Sequence, residues 1–319
     1  MKKHNVDDHG REAENPAQIP IKGWKDIAVR VSKEITNDNV GILAAGVAFY
    51  AFVAIFPAIA ALISLYGLIV NPQVIEQQFS QLATILPSQS QQLIRDQLTQ
   101  IVRGNSSALS WGLVLSILLS LWSANAGTKA LFQGINIAYE EQEKRNFLKV
   151  NALTLFFTLL GVIVAIISMS LIVVLPAAIG ALDIPSDIKM VISYLRWILL
   201  TGILALYLAA VYRFAPDRTE PKWSWVSWGS TIATVLWIAG SVAFSFYVSH
   251  FGNYNATYGS LAAVVILLFW LYLTSYMILL GAEINSEIEM QSKKDTTTGN
   301  EKPMGKRGAH SADELGEAA

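Results

Sequence analysis

Four polar side chains, Asn125, Lys129, Gln133 and Asn136, stand four, four and three residues apart, and Glu140 continues the series. At helical periodicity this spacing puts them on one face. In a helix that is otherwise apolar, such a stripe either lines a polar pathway or is the approach to an interface. Counted from Leu109, Lys129 lies about 30 Å along the helix, far enough to reach the membrane surface. A second group, Arg213, Asp217, Arg218, Glu283 and Asn285, follows directly on apolar runs. These residues either form one ion-pair network that gates or fixes a bundle, or they end helices with ordinary interfacial charge. Asn253, Tyr254, Asn255 and Tyr258 crowd a single short segment. They either contact a substrate headgroup on the outer face or satisfy a tight turn.

No catalytic constellation accompanies them. The chain has no cysteine, and His4, His9, His250 and His310 do not cluster. It contains neither a Walker A loop nor a GxSxG or HExxH motif, and Gly104-Asn-Ser-Ser does not make a phosphate loop. The sequence therefore predicts no enzyme chemistry, no metal and no cofactor. A net charge of -1 supplies no basic surface for a nucleic acid.

The elements that must position these residues are membrane helices. Of 319 residues 53% are apolar and 15% charged, with a mean hydropathy of +0.42; soluble domains carry about 25% charged residues. A spanning helix needs about 20 mostly apolar residues, because the hydrocarbon core is about 30 Å thick. In lipid every backbone polar group must also be bonded within the helix. Charge-free runs cover 41–70, 109–128 and 150–182, and 191–212 is interrupted only by Arg196. Residues 223–282 hold no Asp, Glu, Lys or Arg. As one helix they would extend about 90 Å, so the chain must fold back, and Gly252, Asn253 and Asn255 mark the place. The expectation is an all-α, polytopic bundle of six transmembrane helices, at about 41–70, 109–138, 150–175, 191–212, 226–249 and 259–282.

Orientation follows from the positive charge, which short cytoplasmic loops retain. The N-terminal tail, the 139–150 and 213–222 loops and the C-terminal tail hold 18 of the 23 Lys and Arg residues. The opposite side has Arg95, Arg103 and Lys189. Both termini are thus expected in the cytoplasm, which requires an even number of spans. Trp111, Tyr139, Tyr212, Trp223, Trp225 and Trp228 fall near span ends, at headgroup depth.

Outside the spans, Trp24, Ile27, Ala28, Val31 and Ile35 alternate helically with Lys25, Asp26, Arg30 and Lys33. This is the pattern of a basic amphipathic helix on the inner membrane face, which packs or anchors. The outer loop 71–108 carries two amphipathic patterns, Ile75-Phe79-Leu82-Leu86 and Ile94-Leu98-Ile101, and reads as a helical cap. Residues 1–23 and 290–319 are poor in apolar side chains and are expected to be disordered cytoplasmic tails. Pro57 should kink the first span and Pro176 should end or bend the third. Gly41, Ala44, Ala45 and Ala48 make a small-residue surface suited to close helix contact.

Several motifs stand out along the chain: Ala44-Ala-Gly-Val-Ala-Phe-Tyr-Ala-Phe-Val-Ala-Ile-Phe-Pro57, Trp122-Ser-Ala-Asn-Ala-Gly with Ile135-Asn-Ile-Ala-Tyr139, and Phe214-Ala-Pro216. The most specific is Phe246-Tyr-Val-Ser-His-Phe-Gly-Asn-Tyr-Asn-Ala-Thr-Tyr-Gly-Ser260, followed by Trp270-Leu-Tyr and Gly281-Ala-Glu-Ile-Asn285. These segments give the chain, from about Trp24 to Glu289, a resemblance to the YihY/virulence factor BrkB family of bacterial membrane proteins. It implies a six-span protein of the bacterial cytoplasmic membrane with no agreed catalytic residues. Family members were once labelled ribonuclease BN; others are linked to envelope lipid transport or serum resistance. One departure is Ala54-Ile-Phe before Pro57, where the family often has Ser before the proline. The expected activity is transport or lipid handling, with membrane lipids, an envelope lipid or a small molecule as partner and no nucleic acid. The alternative is a non-transporting membrane scaffold that recruits envelope partners, and a ribonuclease comes third.

Overall fold

The computed structural model describes residues 9–69, 106–181, 185–251 and 261–318. They are helical, without a strand among the described residues, and the element order is α1 (Ile21–Asn37), α2 (Val40–Ile69), α3 (Ser106–Ala138), α4 (Phe147–Met169), α5 (Leu175–Ala181), α6 (Ser186–Phe214), α7 (Trp223–Phe251), α8 (Leu261–Glu289) and the short α9 (His310–Asp313). Among the described residues six stretches are long and apolar enough to cross a membrane: Val40–Ile59, Trp111–Ala138, Phe147–Ala181, Ser186–Phe214, Trp223–His250 and Ala262–Glu289. Between 6% and 17% of each is buried within the protein. So much exposed apolar surface, including Trp197, Ile198, Leu206 and Phe246, needs a hydrocarbon solvent to cover it.

Local chemistry sets several helix boundaries. Asn146 caps α4 by accepting from the Lys149 N–H at 2.8 Å, which satisfies one first-turn donor. Pro176 lacks the N–H that would bond four residues back. Ser170–Val174 therefore winds as a π turn, and the helix carries on through Pro176 to Ala181. Pro57 likewise lies inside α2, which is helical on both sides of it.

The chain divides into two compact units, one formed by Met1–Phe49 with Gly127–Ala319 and the other by Tyr50–Ala126. In the second, Phe52 and Phe56 meet edge to face at 5.1 Å. In the first, α7 lies along both α8 and α6, and α1 packs on α8. Its core joins Val40 and Ala44 of α2, Phe132 and Ile135 of α3, Phe157 of α4, Leu208 and Tyr212 of α6, Val226 of α7 and Leu279 of α8. Glycine permits the closest approaches. A side chain at Gly281 would collide with Tyr212 and Ala233, and one at Gly229 with Asn285.

A second apolar cluster lies beside it, made by Ala13, Ile19, Ile27, Val31, Trp225 and Ile288. Here α1 turns its apolar face onto α7 and α8, with Trp24 and Trp228 rings 5.7 Å apart, so the helix packs within the protein and leaves Lys25 and Lys33 exposed.

The terminal segments correct the expectation of disordered tails. Residues 9–20 and 290–318 fold against one another and against α1 and α8. Gln291, Ser292, Thr296 and Ser311 are buried, Ser292 donates to Ala13 O at 2.6 Å, and Arg11 donates to Gly316 O at 2.7 Å. Arg307 threads the C-terminal segment, donating to Lys293 O, Lys294 O and Ala312 O. A segment poor in apolar residues is ordered here by polar pairing to a distant framework, which composition does not register. The amphipathic patterns of 71–105 lie outside the described residues.

Candidate functional site

The stripe on α3 keeps its helical face but not a common environment. Asn125 falls in the smaller unit and is partly buried; Lys129 is partly buried, and Gln133 is exposed. Asn136 is buried and committed. Its amide oxygen accepts from Asp217 N–H at 2.8 Å and its nitrogen donates to Glu143 at 3.3 Å. Asp217 accepts from Lys144 N–H at 2.7 Å, and Arg145 bonds Glu143 and Ala215 O. The Arg145 guanidinium holds the Glu143 carboxyl below its usual range. The structure thus joins two expected residues, Asn136 and Asp217, into a clasp that ties the turn after α6 to the turn after α3.

The remaining rim residues form separate pairs and not one network. Arg213 donates to Glu220 at 2.8 Å and to Pro221 O at 2.6 Å, with its guanidinium 4.7 Å above the Trp223 ring. Arg218 pairs with Glu289 at 2.6 Å under the Tyr139 ring. Asn285 accepts from Gly229 N–H at 2.9 Å. Glu283 turns toward α1, where its carboxyl meets that of Asp38. Asn253, Tyr254, Asn255 and Tyr258 lie outside the described residues.

A feature the sequence reading passed over lies between α7 and α8. An open groove of about 590 Å³ is lined by Ser241, Phe244, Ser245 and Val248 on one side and by Ile266 and Trp270 on the other. That volume is in the range of small-molecule sites, roughly 300–1,000 Å³. The wall is apolar apart from Ser241, Ser245 and Ser249, which recur every fourth residue and share one face of α7. Ser249 Oγ bonds Phe246 O at 2.9 Å, while Ser241 Oγ is buried without a hydrogen-bond partner. The four-residue serine spacing was visible in the sequence, but nothing there showed that a groove faces it. A smaller groove of about 270 Å³ runs along Ala45, Ala48 and Phe49 of α2 against Leu268, Phe269 and Tyr272 of α8. The small-residue surface serves both packing and this groove, since Ala44 and Ala48 are buried.

Among the described residues no three His, Cys, Asp or Glu side chains are arranged to hold a metal ion. What this site can do chemically is accommodate a chain-like apolar body and offer hydroxyl groups along it.

The profile described as virulence factor BrkB matches residues 31–305, and the chain belongs to that family of membrane proteins. It is 30% identical to the Bacillus subtilis ribonuclease-like protein YfkH over 78% of this chain and 90% of that one. A UPF0761 membrane protein of Tolumonas auensis is 26% identical over 80% and 83% of the two chains. No solved structure matches it.

Proposed function

We propose that the protein handles lipid in the bacterial cytoplasmic membrane, moving an amphipathic molecule between leaflets without ATP hydrolysis of its own. The single observation that carries this reading is the α7/α8 groove. It runs along two spanning helices, so in a bilayer it lies at hydrocarbon depth, where the molecules at hand are lipids. An apolar wall suits an acyl chain. Of the three serines at one-turn intervals, Ser249 bonds its own helix, and Ser241 and Ser245 are left to meet an ester or headgroup, at a depth where unmet polar groups are costly. The groove outranks the α3 stripe as the route, because Gln133 is exposed and Asn136 is spent on a loop. The positive charge near both termini supports placing them in the cytoplasm.

A photoreactive phospholipid tests the seat. Crosslinks should concentrate at Phe244, Ser245 and Val248 over the equally apolar and exposed face of α6 at Ile198 and Leu206. Uniform labelling of both faces would count against a lipid site.

A scaffold role is the second reading, favoured by the folded terminal segments, which present an ordered polar surface. Under it, crosslinking from that surface traps a specific envelope protein, and finding none removes it. The ribonuclease-like name belongs to the Bacillus relative, and the present reading includes no nucleic acid and no catalytic chemistry.

A further inference from the structure

Two acidic side chains meet where α1 ends and α2 begins. Asp38 closes α1, its N–H returning to Glu34 O at 2.9 Å, and Asn39 turns the chain with a φ of 53°. This corner sets the Asp38 carboxyl against the Glu283 carboxyl, side chain to side chain. Glu283 is 1% exposed, and its Oε1 has no hydrogen-bond partner.

The ionisable groups around the pair do not neutralise it. Glu34 of α1, Glu140 after α3 and Glu287 one turn along α8 are all acidic. Arg30 of α1 is engaged elsewhere, bonding the Glu287 carboxyl, Glu287 O at 3.0 Å, Gln291 at 2.9 Å and Glu317 O at 2.8 Å. His310 faces Glu140 and Glu314, each at 3.5 Å. Among the described residues no Lys, Arg or His forms an ion pair with Asp38 or Glu283.

Two carboxylates in contact, one of them out of water and neither with a counter-charge, cannot both be ionised. The state that resolves the conflict is one proton shared by the pair, with the O–H of one carboxyl donating to the other carboxylate in a short charge-assisted bond. Glu283 supplies the buried half and Asp38 the half that reaches solvent.

We propose that Asp38 and Glu283 form a proton-binding site in which a single proton bridges the carboxyls and holds the end of α1 against α8, and that its departure drives the two apart by charge repulsion. Burial, with Glu34 and Glu140 nearby, lifts the Asp38 carboxyl to about 6 even against the hydrogen bond from Glu283. A metal ion is the poorer occupant, since no third ligand joins the two in a metal-holding arrangement among the described residues. The proposal is independent of the lipid groove and stands whether or not lipid moves.

The test is infrared difference spectroscopy of the full chain in nanodiscs, titrated from acid to alkaline pH. The wild type should retain one equivalent of protonated-carboxyl absorbance after the exposed carboxylates have ionised; Glu283→Gln should lose it, and Asp38→Asn, which leaves Glu283 buried but removes the carboxylate that accepts its proton, should move it to higher frequency. Identical spectra in all three proteins overturn the proposal. So does loss of the band at constant pH on adding Na⁺ or Mg²⁺, which would assign the pair to a metal ion. Hydrogen exchange of the α1 amides reads the coupling. Protection, corrected for the intrinsic pH dependence of exchange, should fall as the band titrates in the wild type and change less in Asp38→Asn, where Glu283 faces no second carboxylate; protection indifferent to pH in the wild type rejects the coupling. If Glu283→Gln does not fold, Asp38→Asn, altered at the half-buried partner, carries the test.

Discussion

Arg218 donates to the Glu289 carboxylate at 2.6 Å, 71 residues away in the chain, and both side chains are completely removed from solvent. The same carboxylate accepts from Thr296 at 2.8 Å, so one buried charge joins the turn after α6, the end of α8 and the C-terminal segment. Breaking a buried pair from one side leaves its partner charged and unpaired, at a cost of roughly 3–5 kcal/mol. Arg218→Ala is therefore expected to lower the melting temperature in detergent steeply. It should also open residues 291–318 to protease, an effect that limited proteolysis reads separately.

Asn136 binds the backbone N–H of Asp217. Asn136→Ala strands that N–H, and an unsatisfied buried donor costs about 1–3 kcal/mol. The expected result is a lower melting temperature with no loss of membrane insertion, whereas Gln133→Ala, at an exposed position on the same helix face, should leave the melting temperature unchanged.

Gly229 and Asn285 approach too closely for a methyl group between them. Gly229→Ala displaces the buried Asn285 side chain and its bond to the residue 229 N–H, and is expected to cost about 1–3 kcal/mol. Pairing it with Asn285→Ala should recover part of that loss, which a double-mutant cycle on thermal unfolding measures.

Asp38 titrates near 6 in the fold against an ordinary value of 3.8, chiefly because burial disfavours its charge. A raised folded-state value means the native protein holds the proton more tightly than the unfolded chain. The resulting stability is fully present below about 4 and is lost as pH rises through about 6. Melting temperature should fall across this window in the wild type and vary less in Asp38→Asn.

The spans were legible because transfer to hydrocarbon depends on composition over some 20 residues, a local property. Thus 223–282 had to fold back, and the structure places α7 and α8 on either side of that break. Span three, expected to end or bend at Pro176, does not end there: a π turn absorbs the missing donor and the helix runs on to Ala181. The terminal segments were misread because Arg30 with Glu287, 257 residues apart, and Arg307 with carbonyls of its own segment leave no trace in composition. Asp38 was overlooked for the same reason: an acid before a span resembles any interfacial charge until Glu283 arrives beside it. The groove serines were spaced legibly, but periodicity cannot distinguish a serine facing a cavity from one bonded to its own helix, as Ser249 is.

Lipid movement along the α7/α8 groove is read directly by a scrambling assay. Fluorescent phospholipid in proteoliposomes is quenched from outside, and the rate at which the protected leaflet becomes accessible is recorded. Wild-type protein should accelerate exchange well above empty vesicles, and Ala263→Trp, which fills the groove, should reduce it at least about tenfold, equivalent to about 1.4 kcal/mol of barrier. Val235→Trp, placed on an exposed face of α7 away from the groove lining, should leave the rate intact. Wild-type exchange no faster than protein-free vesicles, or an undiminished rate in Ala263→Trp, would contradict the account.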